Sequence, residues 1–477
     1  MKVLFVASEA APLAKVGGLA DVVGSLPKSL GGLGHDVRLV IPKYGIIDAD
    51  RYDVVTVGDN FSVRMAGDDW QVTLGMVQLG DGIKVYLVGN EAFFGSDDVY
   101  GSDDQRRFLF FCRAVFEMLP KLDWQPEIVH CHDWHTALIP LWLKSSDYRY
   151  ASIFTIHNLA YQGPLDSDFL SDSELKEDWQ SWPMDAPKPA LNFMSQGILW
   201  ADMVTTVSET YAREILSPEY GEGMAPLLRY REKELCGITN GLDYEEYNPA
   251  TDHSIAANYD SSTLWKRVAN KLALQRRAGL PEDADIPLIG MVSRLDEQKG
   301  FDIVAKGFNS MLQETRAQMV ILGTGREYYQ NLLKQAADRY PQRLAVFLVF
   351  HDALARLIYS GCDLFFMPSR FEPCGLGQFI AMRYGAVPVV RRTGGLAETV
   401  QDLTPDLSEG SGFVFDDYDS RAMLVAVDRA VSAYKDGGGW QGVIQRIMAL
   451  DFSWRASARK YESLYRKVLE KRGYAEK

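Results

Sequence analysis

The feature that most limits the folds open to this chain is an alternation of two apolar periods. The run VLFV, Val3–Val6, has the unbroken apolar character of a buried strand. After a loop with Gly17 and Gly18, the positions Leu19, Val22, Val23, Leu26 and Leu30 recur at the spacing of one helix face. HDVRLVIP, His35–Pro42, then reads as a second strand. Strand, helix and strand within 42 residues imply parallel pairing through a crossover.

The alternation continues. VTLGMVQL and IKVYLV read as hairpin strands, and RRFLFFCRAVFEML as a helix. EIVHCH, SIFTIH and MVTTVS follow as strands, with Ser208 at the N-cap position of YAREIL. The theme restarts at PLIGMVSRL, with the helix FDIVAKGFNSML and the strands QMVILG, AVFLVF, DLFFMPS and VPVVRR. Between the two series lies TNGLDYEEYNPATD, Thr239–Asp252, which is polar and turn-rich. A length of 477 residues suits two large domains or three smaller ones. The expectation is therefore an α/β protein with two alternating units. VGGLAD at Val16–Asp21 is echoed by TGGLAE at Thr393–Glu398, each after a strand and opening a helix. No short tandem repeat occurs, which argues against a solenoid.

Charge narrows the partners. A formal net charge of −14 disfavours a nucleic-acid surface or an anionic membrane. It leaves room for a small anion in a local positive pocket. The five cysteines, Cys112, Cys131, Cys236, Cys362 and Cys374, are scattered, without a CxxC pair, as in a reducing compartment. Glu9 interrupts the apolar N-terminus, which reads as a first strand and not as a signal peptide. No apolar run reaches the roughly 18–20 residues that span a bilayer. The expected location is cytoplasmic, or stromal if a transit peptide has been removed.

Five stretches carry chemistry. In AKVGGLAD, Lys15 precedes Gly17 and Gly18 at a strand end. Such a loop lets backbone N–H groups approach a phosphate or oxyanion, with the helix N-terminus behind them; its bland alternative is a tight turn with a surface lysine. In HCHDWH, the histidines His130, His132 and His135 invite a metal reading, but no further acidic pair or cysteine–histidine group completes a site. Asp133 and Trp134 are residue types suited to sugars, through hydroxyl acceptance and ring stacking. His157, in FTIHNLAYQG, stands at a strand end, where parallel sheets present functional groups. In VSRLDEQKG, Arg294 and Lys299 form a pair of cations suited to a diphosphate. In PSRFEPCGLGQ, Glu372 suits sugar hydroxyls, and the backbone at Gly375–Gly377 suits phosphate. The DAD triplets at Asp48–Asp50 and Asp283–Asp285 read as solvated turns.

Taken together, KVGGLADVVGSLP, HCHDWH, TIHNLAYQG, TNGLD, SRLDEQKG, PSRFEPCGL and RRTGGLAETV resemble the bacterial glycogen synthase / starch synthase family, in family order, and DFSW at Asp451–Trp454 adds to them. The resemblance implies a GT-B fold, two Rossmann-like domains facing across a deep cleft. It implies an N-terminal, acceptor-side domain over 1–243 and a C-terminal, donor-side domain over 244–455. A helix at 456–477 is expected to pack back on the N-terminal domain. The implied reaction is transfer of glucose from ADP-glucose to the non-reducing end of an α-1,4-glucan such as glycogen, with retention at the anomeric carbon and without a metal or other cofactor. Its implied catalytic residues are Asp21, His157, Arg294, Lys299 and Glu372. Donor binding would use Lys15, Gly17, Gly18, Asn240, Arg294, Lys299, Phe350, Glu372, Cys374, Gly375, Leu376, Gly377 and Thr393. Acceptor binding would use Tyr100, Asp133 and Trp134.

The chain also departs from that pattern. Val349-Phe350 stands where many members have Gly-Tyr, Gly377 where Thr is frequent, and FFGSDDVYGSDD lacks an RPG-like stretch before Tyr100. Other readings remain: a GT-B transferase using UDP- or GDP-sugars, a nicotinamide dehydrogenase, and a catalytically silent glucan-binding protein. The second lacks its GxGxxG after Val6.

Overall fold

The central strands of this chain are apolar runs buried on both faces, and the two sheets built on them organise two separate units. The computed structural model describes residues 1–80, 82–176, 182–188 and 190–474. One unit comprises Met1–Gly241 with Trp454–Lys477, and the other Leu242–Ser453.

The first unit holds β1 (Lys2–Val6), β2 (Asp36–Pro42), β3 (Val55–Thr56), β4 (Phe61–Met65), β5 (Asp68–Gln78), β6 (Lys84–Gly89), β7 (Ile128–His132), β8 (Ala151–Ile156), β9 (Met203–Thr206) and β10 (Leu235–Gly237). Their order is β10-β9-β8-β7-β1-β2-β6-β5-β3, with β4 on β5. Six of these pairings, from β10 across to β6, are parallel, and β5 joins β6 as an antiparallel hairpin. β1, β7, β8 and β9 are buried almost throughout, which explains their continuous apolar runs. The helix Gly18–Gly31 lays Leu19, Val22, Val23, Leu26 and Leu30 into the core, the face that the spacing predicts. Ser208 caps the helix Glu209–Glu214, its side chain accepting from Tyr211 N.

The chain returns to this unit at its end. The helix Trp454–Lys471 buries Trp454, Ala458, Tyr461, Leu464, Tyr465, Val468 and Leu469 at helical spacing and packs on Gly18–Gly31. Ser457 Oγ donates to Thr239 O at 2.6 Å, and the Tyr465 hydroxyl bonds His130 Nδ1 at 2.9 Å. Residues 475–477 of the expected terminal segment lie outside the described residues.

The second unit holds β11 (Leu288–Val292), β12 (Gln318–Leu322), β13 (Leu344–Phe347), β14 (Leu364–Met367), β15 (Val387–Arg391) and β16 (Phe413–Phe415). All pairings are parallel, in the order β13-β12-β11-β14-β15-β16. Three-residue strands such as β10 and β16 carry too little pattern to be read from sequence. Each sheet has a reversal of strand order between parallel neighbours, between β7 and β1 in the first and between β11 and β14 in the second. Helices leave such a point in opposite directions, so the strand C-termini there open a crevice for ligands.

Candidate functional site

The chemistry-bearing motifs fall at those two reversals. In the first unit, β1 ends at Val6 and leads into a loop organised by Glu9. Glu9 is 3% exposed, and its Oε2 accepts from Val16 N at 2.6 Å and Gly17 N at 3.0 Å. Burial pushes its carboxyl pKa up, and the two backbone bonds oppose that rise. The expectation that this loop offers its N–H groups to a ligand therefore needs correction. Two of them are already spent on Glu9, leaving Gly18 and the Lys15 ammonium on the exposed side. Lys15 Nζ in turn pairs with Asp21 Oδ1 at 2.6 Å across the first helical turn. In the sequence Glu9 reads only as a break in the apolar N-terminus; an acid three residues beyond a buried strand is the signal of its part in the loop.

β7 and β8 end beside this loop, since β7 pairs with β1 and β8 with β7. His130 and His132 share a face of β7, with rings stacked at 4.3 Å. The three histidines do not converge on one point. His130 bonds the Tyr465 hydroxyl and Thr155 Oγ1, and His132 Nδ1 bonds His157 Nε2 at 2.9 Å. His135 sits among the rings of Tyr100, Phe108 and Trp134. Among the described residues, no group of three or more His, Cys, Asp or Glu is arranged to hold a metal ion. Burial drives His130, His135 and His157 down to about 3, so all three rings are neutral at pH 7.

Asp133 adopts φ 57° and ψ 178°, a strained backbone for a side-chain-bearing residue. Its Oδ1 accepts from His157 N at 2.8 Å, and burial raises its carboxyl to about 7. Tyr100 bonds Ser8 Oγ at 2.9 Å and stacks on His135. Trp134 requires a correction. Its indole is 8% exposed, packed on Phe108 and Phe193, with Gly163 so close that a Cβ there would lie 2.2 Å from the ring. It has no open face for a sugar. Asn240 is buried at 7% exposure, and its Oδ1 has no hydrogen-bond partner among the described residues.

In the second unit, the loop after β11 carries Arg294 and Lys299. Arg294 is half-exposed, pairing with Asp296 at 3.1 Å and donating to Gln298 Oε1 at 2.8 Å. Lys299 Nζ donates to Glu372 Oε2 at 2.6 Å. Glu372, in the loop after β14, is 4% exposed and also accepts from Ser369 Oγ at 3.0 Å. A buried carboxylate with a lysine and a hydroxyl on one oxygen is an ordered acceptor. The strand-to-helix turn at Thr393–Gly395 packs against it: Gly395 N donates to Glu372 O, and a Cβ on Gly394 would lie 1.9 Å from that same oxygen. Cys374 is buried beneath the loop, Gly375 has φ 76°, and Gly377 opens the helix Gly377–Arg383. Phe350, after β13, is 85% exposed.

Two α/β units, each with a parallel sheet at its centre, are the architecture of the GT-B fold. Residues 2–230 match the starch synthase catalytic domain, and residues 275–436 match the glycosyl transferases group 1 domain. The chain is 46% identical to a glycogen synthase of Geotalea daltonii over 99% of this chain and 100% of that one. It is 47% identical to a glycogen synthase of Moorella thermoacetica, over 99% and 98%. The catalytic domain of starch synthase IV from Arabidopsis thaliana, solved with ADP and acarbose, superposes with a TM-score of 0.90 at 34% identity, over 98% of this chain and 99% of that one. A sucrose-phosphate synthase from Thermosynechococcus elongatus, 17% identical with a TM-score of 0.61 over 98% and 99%, shares the fold alone. The chain belongs to the bacterial glycogen synthase / starch synthase family, and it is a hexosyltransferase.

Proposed function

We propose that this chain transfers glucose from ADP-glucose to the non-reducing end of an α-1,4-glucan, with retention, and releases ADP. The observation that carries the assignment of roles is the grouping of Arg294, Lys299 and the buried Glu372 at the strand reversal of the second unit. The bond between the anomeric carbon and the phosphate oxygen breaks, leaving negative charge on ADP and positive charge on the sugar ring. Arg294 and Lys299 neutralise the diphosphate, and Lys15 and Gly18 are further donor-binding residues. Glu372 accepts from hydroxyls of the transferred glucose. Phe350 gives the adenine an exposed ring face, without the hydroxyl of a tyrosine. Gly17, Asn240, Cys374, Gly375, Leu376, Gly377 and Thr393 complete the donor contacts.

His157, neutral and fixed by His132, contacts the reacting glucose; Tyr100 and Asp133 serve the acceptor. Asp21 holds Lys15 in place through their ion pair. Retention then proceeds on one face of the sugar: the acceptor oxygen bonds the anomeric carbon as its proton passes to the leaving phosphate oxygen. The cations take the charge-neutralising part, so the reading calls on no metal. The location that fits this role is the cytoplasm, or a plastid stroma. No helix among the described residues is long and apolar enough to cross a membrane.

The test is linkage analysis of the product made from ADP-glucose and maltoheptaose. A single added α-1,4 residue at the non-reducing end is expected. A β-linkage, or a trapped glucosyl adduct on Asp21, would overturn the one-face mechanism.

A further inference from the structure

Glu372 is held asymmetrically. Both of its hydrogen bonds, from Lys299 Nζ at 2.6 Å and from Ser369 Oγ at 3.0 Å, end on Oε2. Oε1 bonds to no described residue. Ser369 itself is 1% exposed, and its hydroxyl donates to this carboxylate. Lys299 is a charge on a flexible stem, and a bound diphosphate competes for it. Ser369 sits three residues from Glu372 in a short loop braced by Gly395 N on Glu372 O. When the lysine shifts toward phosphate, the serine is the donor that stays.

We infer that Ser369 is a specificity-positioning residue: by holding Oε2, it aims Oε1 of Glu372 at one hydroxyl of the transferred sugar. The inference rests on the reading of Glu372 as a sugar-hydroxyl acceptor. A carboxylate free to rotate accepts from hydroxyls in several directions, whereas one pinned by a buried donor discriminates among them. Selectivity between sugars that differ at one hydroxyl depends on such fixed polar partners.

The experiment is a cycle between Ser369→Ala and a panel of ADP-monodeoxyglucose donors, scored by kcat/KM with glycogen as acceptor. Ser369→Ala removes one oxygen from a small side chain and leaves the loop's backbone bonds intact. With ADP-glucose the variant should lose about 3- to 10-fold in kcat/KM, the scale of one hydrogen bond. With the donor lacking the hydroxyl that Glu372 reads, it should lose less than 2-fold, within the scatter of uncoupled sites. Ser369→Thr, which keeps the hydroxyl, should restore the discrimination. An equal loss with every donor would mean that Ser369 merely braces the loop, and would overturn the inference. Glu372→Gln on the same panel separates the two readings. If that variant also shows no coupling to any donor hydroxyl, the role of Glu372 fails; if it couples and Ser369 does not, only the present inference fails.

Discussion

The buried imidazoles of the first unit set its response to acid. His130, His135 and His157 titrate at about 3 when folded, against 6.5 for an exposed ring, because burial disfavours the imidazolium. Between those values the unfolded chain binds more protons, so stability falls as pH drops below 6.5. Each ring contributes up to about 1.4 kcal/mol per pH unit. Asp133 acts oppositely: raised from 3.8 to about 7, it takes up its proton earlier in the folded chain and offsets one ring over that window. His135→Phe keeps the aromatic packing with Tyr100 and Phe108 and removes one titration. Urea unfolding at pH 6.5 and 5 should show a dependence shallower by about 1 kcal/mol per unit; an unchanged slope would mean that His135 is protonated when folded. The candidate site was legible at this scale where residue type and strand end coincide, as for Lys15, His157, Arg294, Lys299 and Glu372. Glu9 and Ser369 were not, because their importance lies in which atoms they bond, and spacing carries no such information. Trp134 looked like a sugar platform because its residue type says nothing of the Phe108, Phe193 and Gly163 that enclose it.

At the scale of elements, two joints hold the functional loops. Gly300 caps the helix Phe301–Thr315 with φ 81°, and a Cβ there would lie 2.1 Å from Pro368 O. It lets the loop of Lys299 pass against the loop of Glu372. Gly300→Ala should therefore cost more than about 1 kcal/mol in urea unfolding and lower glucosyl transfer with it; a stable, fully active variant would contradict this packing. The second joint ties the terminal helix to β7 through Tyr465 and His130, both buried. Tyr465→Phe strands one imidazole nitrogen and should destabilise by about 1–3 kcal/mol, read as a lower urea midpoint with the slope unchanged. The long strands and the Gly18–Gly31 helix were readable because their apolar period is unbroken over five or more residues. β3, β10 and β16 span two or three residues, exist through pairing with a neighbour, and left no pattern to read.

At the scale of the whole molecule, the chain builds one core, then a second, and then returns to the first. The return helix covers apolar positions of Gly18–Gly31, and the second unit has an all-parallel sheet of its own. Residues 242–453 expressed alone should melt in one cooperative transition. Residues 1–241 without 454–477 should expose apolar surface, aggregate and bind a hydrophobic dye. A soluble, cooperative 1–241 fragment would contradict the structural part given to the terminal helix. The central claim is that both units serve one glucosyl transfer, and the most direct measurement is radiolabelled glucose incorporation into glycogen. ADP-glucose and UDP-glucose are supplied in parallel to the natural chain and to Lys15→Ala. The account predicts incorporation from ADP-glucose that falls by about 100-fold or more in the variant, the scale of one lost electrostatic stabiliser of a transition state. Equal incorporation by the variant would remove Lys15 from the site, and no incorporation from either donor by a folded chain that binds glycogen would contradict the proposed reaction.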